Sequence, residues 1–311
     1  MDNLTHSLVG ALFGQMGLKR RTGLAMPTLV IAANIPDIDA TCTIFGMQSL
    51  AMRRGISHGP LALLLLPLFL TVILLAWDRL QVHRGTRPLG RPPVKPGWLL
   101  ALAYIGCLSH PALDWLNNYG IRLLEPFSHR WFYGDTLFIV DVWIWVALIL
   151  SFGLSLRRER SGNPYWRRPA WAGFGAISAY IFANGLITGH AEAQTSRMLA
   201  AKRGRDPELV VANVQPVAFW RREMLWRDGA AFGSGDYMLG QGTQLGPARR
   251  NLYGSVDLDP LIASDPNARA FLSWSRMPVV ERHGAMLRLS DQRFAGTIAS
   301  DRFSLTFPPP R

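Results

Sequence analysis

Apolar residues fall in long blocks along this chain, separated by short clusters of charge. Residues 60–77 (PLALLLLPLFLTVILLAW) carry no charge and end abruptly at Asp78-Arg79. Residues 137–156 are apolar apart from Asp141 and two serines, and residues 169–189 hold no charge at all. Residues 98–113 contain one imidazole, His110. A membrane-spanning helix needs about 20 apolar residues. The first three blocks meet that length, and the fourth does so if its helix continues past Asp114. Residues 8–18 and 23–35 are too short to span and read as a helical hairpin that enters the bilayer or lies against the bundle.

After residue 189 the pattern changes. Residues 190–311 are polar and rich in Gly and Pro, with short alternating runs at 209–214, 286–289 and 303–307. Turn signals such as Asp228-Gly229 and His283-Gly284 separate them, the pattern of a small, mostly β domain. Residues 191–202 read as a helix leading into it. The predicted fold is a multi-pass α-helical membrane protein with a C-terminal, mostly β extramembrane domain. The boundary falls between a helical domain over 1–189 and the β-rich domain over 190–311.

Composition agrees with that reading. Of the 311 residues, 49% are hydrophobic and only 17% charged, against about 25% charged in soluble domains. Two cysteines exclude a disulfide scaffold and a four-cysteine zinc site. The net charge of +12 would suit nucleic acid, but much of it sits in three short clusters. These are Lys19, Arg20 and Arg21; Arg79, Arg84, Arg87, Arg91 and Lys95; and Arg157, Arg158, Arg160, Arg167 and Arg168. Short loops rich in Lys and Arg stay on the cytoplasmic side. The charge therefore sets topology, and no nucleic-acid partner is expected. The opposite ends, together with everything after residue 190, then face outward.

The candidate chemistry lies at those outer ends. Ionisable groups at the margins of membrane spans are costly and point to function. His6 opens the first helix. Asp37 and Asp39 follow Pro36, which favours extended backbone, and in an extended segment residues two apart face one way. The two carboxylates are thus expected to converge on one cation. His58 precedes the first long span. His110 and Asp114 stand at i and i+4, on one face of a helix. His129 and Asp141 are candidates for a further ligand or for general acid–base work. Arg54 is expected to hold an anionic phosphate oxygen. Imidazole and carboxylate without thiolate suit Zn²⁺, with Mn²⁺ or Fe²⁺ as alternatives. No Walker loop, Gly-x-Ser-x-Gly elbow or dinucleotide fingerprint is present, which leaves hydrolysis by metal-activated water as the simplest chemistry.

At these residues the chain resembles the YdjM-type inner-membrane metal-dependent hydrolases. The shared elements are Thr5-His6 with Gly10, Asp37-Ile-Asp39, Arg54-Gly-Ile-Ser-His58, His110-Pro-Ala-Leu-Asp114 and Pro126-Phe-Ser128. The likeness runs over about residues 1–145. It departs at Arg53, where the family pattern has His, and at Gly59, where Ser often follows the His. The resemblance implies a bacterial inner-membrane protein with a hydrolase-like metal site made of His6, Asp37, Asp39, His58, His110 and Asp114. A more distant similarity to the zinc-dependent phospholipase C and P1 nuclease group implies a phosphoester. The lipid bilayer is then the partner, and a phospholipid or lipid-linked phosphate the expected substrate. A metal or proton transporter and a scaffold with a structural metal site are the alternative readings.

Overall fold

A computed structural model describes residues 1–296 and 300–309. The chain divides into two compact units, residues 1–39 with 54–183 and residues 40–53 with 184–311.

The first unit is helical. Its elements are α1 (Asn3–Gln15), α2 (Ala25–Ala32), α4 (Pro60–His83), α5 (Pro96–Trp115), α6 (Val142–Arg160) and the first part of α7 (Arg168–Arg203). The short α3 (Ser49–Met52) lies in the excursion that joins the second unit. Val9 and Leu12 of α1 pack with Ile144 and Leu148 of α6 and Ile177 of α7. Ala32 of α2 packs with Leu70 and Leu74 of α4 and with Leu99, Ala103 and Cys107 of α5.

Two glycines set the spacing. A Cβ on Gly10 would lie 2.6 Å from the Leu29 carbonyl oxygen, and one on Gly106 would lie 2.8 Å from the same atom. The bare Cα atoms of α1 and α5 therefore rest directly on the α2 backbone. Such close approach through small residues is how apolar helices gain dispersion contact where lipid supplies no hydrophobic drive.

The outer face of α4 is apolar instead of charged: Leu64, Leu65, Phe69, Val72 and Ile73 are all exposed. An apolar face turned outward belongs in lipid. Among the described residues, three helical stretches are long and apolar enough to cross a membrane: Ala25–Met52, Pro60–His83 and Arg168–Arg203.

Some boundaries differ from the sequence expectation. The helix expected from residue 137 begins at Val142, because Asp141 caps it and Leu137 pairs with Asn117 in an isolated bridge. The helices expected at 169–189 and 191–202 are one continuous α7. The backbone after Pro36 is not extended. Ile35–Gln48 forms 3₁₀ turns, interrupted at Gly46, which has φ 58°.

Among the described residues, the second unit holds two antiparallel sheets. β1 (Leu209–Val214), β2 (Arg221–Asp228), β3 (Ala231–Met238) and β4 (Gly242–Leu245) pair in that order, and β5 (Arg249–Arg250) adds to β3. After α8 (Asp259–Ser264) and α9 (Pro266–Trp274), β6 (Pro278–His283), β7 (Met286–Asp291) and β8 (Ser304–Phe307) form the second sheet. The excursion packs through α3 against α9. Arg222, fully buried on β2, donates to Asn184 Oδ1 at 2.9 Å and Thr188 Oγ1 at 3.2 Å, tying the sheet to the end of α7.

Asp291 is fully buried and accepts from Arg293 Nε at 2.8 Å and Ser275 Oγ at 2.6 Å. Burial pushes its carboxyl up, but the Arg293 guanidinium and these hydrogen bonds outweigh that and hold it below the usual carboxylate range.

Candidate metal centre

The site lies within the first unit. At its start, Asp2 caps α1, accepting from the Thr5 amide at 3.0 Å and the Thr5 hydroxyl at 2.6 Å. Trp145 Nε1 on α6 donates to the same hydroxyl at 2.9 Å. This fixes the first turn, and His6 follows directly, fully buried. Asp37 is set by a turn in which its amide donates to the Asn34 carbonyl at 3.1 Å. Asn34 is itself held by Nδ2 donating to Ser7 Oγ at 3.0 Å. His58 closes a 3₁₀ turn just before Pro60 begins α4, and the Cα of Gly59 lies against the Glu125 carbonyl. His110 and Asp114 stand one turn apart on α5.

Four of these side chains converge. One donor atom from each of Asp37, His58, His110 and Asp114 lies within 4.8 Å of the others. His58 Nε2 and His110 Nε2 are 3.1 Å apart, and each is 3.6 Å from Asp114 Oδ2. Asp37 Oδ1 is 3.6 Å from His110 Nε2 and 4.0 Å from His58 Nε2. Four ligands about 2.1 Å from one ion in a tetrahedron stand about 3.4 Å from each other. The observed separations bracket that value.

Hydrogen bonding on the far side of each ring decides what faces inward. His110 Nδ1 lies 2.7 Å from the Ala33 carbonyl, which can only accept, so Nδ1 carries a proton, and in the neutral ring Nε2 keeps the lone pair. For His58, Nδ1 is 2.9 Å from Ser57 Oγ, and Ser57 donates onward to Asp39 Oδ2 at 2.8 Å. Since the Ser57 proton is committed to Asp39, its oxygen accepts from His58, whose Nε2 is left bare too. With both rings neutral, two lone pairs face each other at 3.1 Å, a contact that a proton or a metal ion between them relieves. Among the described residues, neither ring nitrogen of buried His6 has a hydrogen-bond partner, though Nε2 lies 3.3 Å from Asp114 Oδ1. His6 also stacks on His110, with centroids 3.8 Å apart. The donor set and these orphaned nitrogens fit a divalent metal.

Asp39 does not converge with Asp37. In 3₁₀ turns, side chains two apart diverge, and Asp39 instead accepts from the Arg54 amide at 2.6 Å and from Ser57, with Oδ2 3.3 Å from His58 Nδ1. The convergence expected of this pair fails because the backbone is helical instead of extended.

Arg54 is buried and has φ 53°, the left-handed region that a side chain rarely adopts. Its Nε is 3.0 Å from Asp114 Oδ2 and its Nη2 donates to Oδ1 at 3.2 Å, a bidentate grip. Nη1 donates to Asn117 Oδ1 at 2.9 Å and to the Gly120 carbonyl at 3.3 Å. The amino terminus also contacts Asp114. Asp141 caps α6, accepting from the Trp143 and Ile144 amides at 3.1 Å and from the Tyr180 hydroxyl at 3.1 Å. His129 is 80% exposed and pairs with Glu125. Neither joins the gathered group.

Ser57, the Ala33 carbonyl and Asn117 complete the outer layer of the site. Ser57 could have been suspected from its place before His58. The Ala33 carbonyl, a main-chain atom 77 residues from its partner, leaves no trace in the sequence.

A family model described as YdjM inner membrane protein matches residues 1–191. The chain belongs to that family. No curated protein and no solved structure matches it.

Proposed function

We propose that this member of the YdjM inner membrane protein family is a metal-dependent hydrolase whose centre is formed by Asp37, His58, His110 and Asp114. The observation that carries the reading is the 3.1 Å approach of two imidazole Nε2 atoms whose Nδ1 atoms are both committed to hydrogen bonds elsewhere. Nitrogen and carboxylate donors without thiolate favour Zn²⁺, then Mn²⁺ or Fe²⁺. A divalent cation held there supplies a Lewis acid and lowers the pKa of a coordinated water towards neutrality.

The protein's own groups have separate tasks in this scheme. Asp39 and Ser57 orient His58, and the Ala33 carbonyl orients His110. Arg54 holds Asp114 in its ligating position, in place of the phosphate-gripping role expected for a free guanidinium. His6, whose ring nitrogens make no hydrogen bond and whose Nε2 lies 3.3 Å from Asp114 Oδ1, takes the additional ligand or proton-transfer role in preference to Asp141 or His129.

A lipid phosphoester is the substrate class we favour. Exposed apolar side chains flank the ligands: Ile38 stands between Asp37 and Asp39, Ile56 two residues before His58, and Phe127 is 73% exposed in the Pro126-Phe-Ser128 segment. An amphiphile could rest its chains on this rim with its phosphate at the metal. In the same reading the chain is multi-pass, with the site and the β-rich unit outside the cytoplasm and the basic loops inside.

The test is phosphate or headgroup release from phospholipid and lipid-linked phosphate substrates by liposome-reconstituted protein, with and without added Zn²⁺ or Mn²⁺. Metal-dependent turnover that His110→Ala abolishes is the expected result. Metal-loaded protein that is inert on all of them, or turnover unchanged in His110→Ala, would contradict the proposal.

A further inference from the structure

At the end of the first unit that carries the basic loops, three cations gather on one tryptophan. Lys19 Nζ lies 4.8 Å, the Arg20 guanidinium 4.7 Å and the Arg167 guanidinium 5.1 Å from the ring of Trp166, which is 4% exposed. Glu159 is the acid that pairs with them, to Lys19 and, at 3.7 Å, to Arg20. The cluster keeps two positive charges in excess. Around it the imbalance is larger: the three basic clusters hold thirteen Lys and Arg, against Asp78 and Glu159 as the acids of the same loops.

Beside this cluster lies an open cavity of about 490 Å³. Its rim is Lys19, Arg20 and Arg91, and its wall is apolar, from Leu24, Ala25, Met26 and Pro92. The cavity has a fixed frame. The Gly23 amide donates to the Pro93 carbonyl at 3.1 Å, and the Lys95 amide donates to Thr22 Oγ1 at 2.7 Å, joining the α1–α2 turn to the α4–α5 loop. A Cβ on Gly23 would lie 2.4 Å from the Pro92 carbonyl, so the contact depends on glycine. Gly17, at φ 118°, leaves the space that the Arg167 guanidinium fills.

We propose that this cavity is a binding site for the headgroup of an anionic phospholipid. Its phosphate would be held by Arg20 on the cavity rim, with Arg167, on the same tryptophan but outside the cavity lining, adding positive charge, and the start of an acyl chain would run along Leu24, Ala25 and Met26. The cationic rim matches the phosphate and the apolar wall matches the chain. Basic pockets between spans at the cytoplasmic face are suited to anionic lipids, and the inference rests on the proposed topology that puts the basic loops on that side. Asp78 meets Arg91, and the single carboxylate of Glu159 is shared between Lys19 and Arg20, so the cations around Trp166 still carry positive charge in excess for a ligand. This inference is independent of the metal centre, which uses none of these residues.

The experiment is native mass spectrometry of the full chain released from nanodiscs made with phosphatidylglycerol or with phosphatidylcholine of the same acyl chains. The comparison is between wild type, Arg20→Gln/Arg167→Gln, and Arg158→Gln/Arg160→Gln. The last pair removes the same charge from the same end but away from the cavity. Wild type should retain phosphatidylglycerol selectively. Each charge removed from the site should cost about fivefold in that selectivity, and the control pair should leave it unchanged. Equal loss in both double variants would reduce the effect to diffuse surface charge and overturn the site, as would wild type without lipid preference. Thermal unfolding in detergent checks that the variants stay folded.

Discussion

Asp39 stands behind His58: its Oδ2 is 3.3 Å from His58 Nδ1, across the ring from the Nε2 that faces His110. Through Ser57 it holds His58 Nδ1 as a proton-bearing nitrogen. Asp37, two residues earlier, has Oδ1 3.6 Å from His110 Nε2, on the inner side. Two aspartates that look equivalent in Asp37-Ile-Asp39 therefore take different tasks in the proposed centre, one as ligand and one as orienting partner.

The two differ in what their loss does. Removing an outer hydrogen-bond partner of a ligating His lowers metal affinity about 10–100-fold. Asp39→Asn should show that graded loss in competition with a chromophoric chelator, while Asp37→Asn should fail to hold stoichiometric metal. Equal loss in both would return Asp39 to the ligand set.

Arg54 and Asp114 form a buried pair, and breaking such a pair from one side leaves an uncompensated charge worth about 3–5 kcal/mol. Arg54→Met should therefore lower the thermal unfolding temperature strongly in detergent. Adding Asp114→Asn should recover part of that loss, because the buried charge goes with it. A double variant no more stable than Arg54→Met alone would show that the guanidinium matters through Asn117 and Gly120 instead.

Gly10 falls four residues after His6 and touches no ligand, yet the structure gives it a task. Gly10→Ala places a methyl 2.6 Å from the Leu29 carbonyl, and overpacking of this kind costs about 1–3 kcal/mol. Gly97→Ala on α5 meets nothing within 4 Å and should be neutral or slightly stabilising. Thermal unfolding of the two variants side by side tests the helix spacing.

In the second unit, Asp291 should make β7 sensitive to acid. Its folded pKa lies below its unfolded value of about 3.9. The stabilisation is thus fully present above that unfolded value and is lost as pH falls through the lowered folded one. Hydrogen exchange corrected for intrinsic rates should show β6 and β7 opening more easily at pH 3 than at pH 6. Asp291→Asn should flatten that dependence and be less protected at pH 6.

Much of the helical architecture was legible because lipid demands long uncharged blocks: residues 60–77 and 169–189 fall inside α4 and α7. The pairing of His110 with Asp114 was legible too, since helical periodicity alone puts them on one face. What the sequence hid are features set by tertiary contact. The 3₁₀ backbone after Pro36 separates Asp37 from Asp39, a choice that local proline sterics do not decide. Arg54 reads as a free cation until Asp114, Asn117 and Gly120 are seen around it. Residues 40–53, which join the second unit through α3 and α9, carry no local signal that they leave the helical unit. His129 and Asp141 looked like site residues from chemistry alone, but a pairing with Glu125 and a helix cap occupy them.

The central claim is that Asp37, His58, His110 and Asp114 hold a metal ion, and elemental analysis of the detergent-purified full chain tests it most directly. Wild type should contain at least one equivalent of zinc, manganese or iron after reconstitution and dialysis, and His110→Ala and Asp37→Ala should lose it while their thermal unfolding stays cooperative. A wild type that remains metal-free, or variants that keep the full complement, would contradict it.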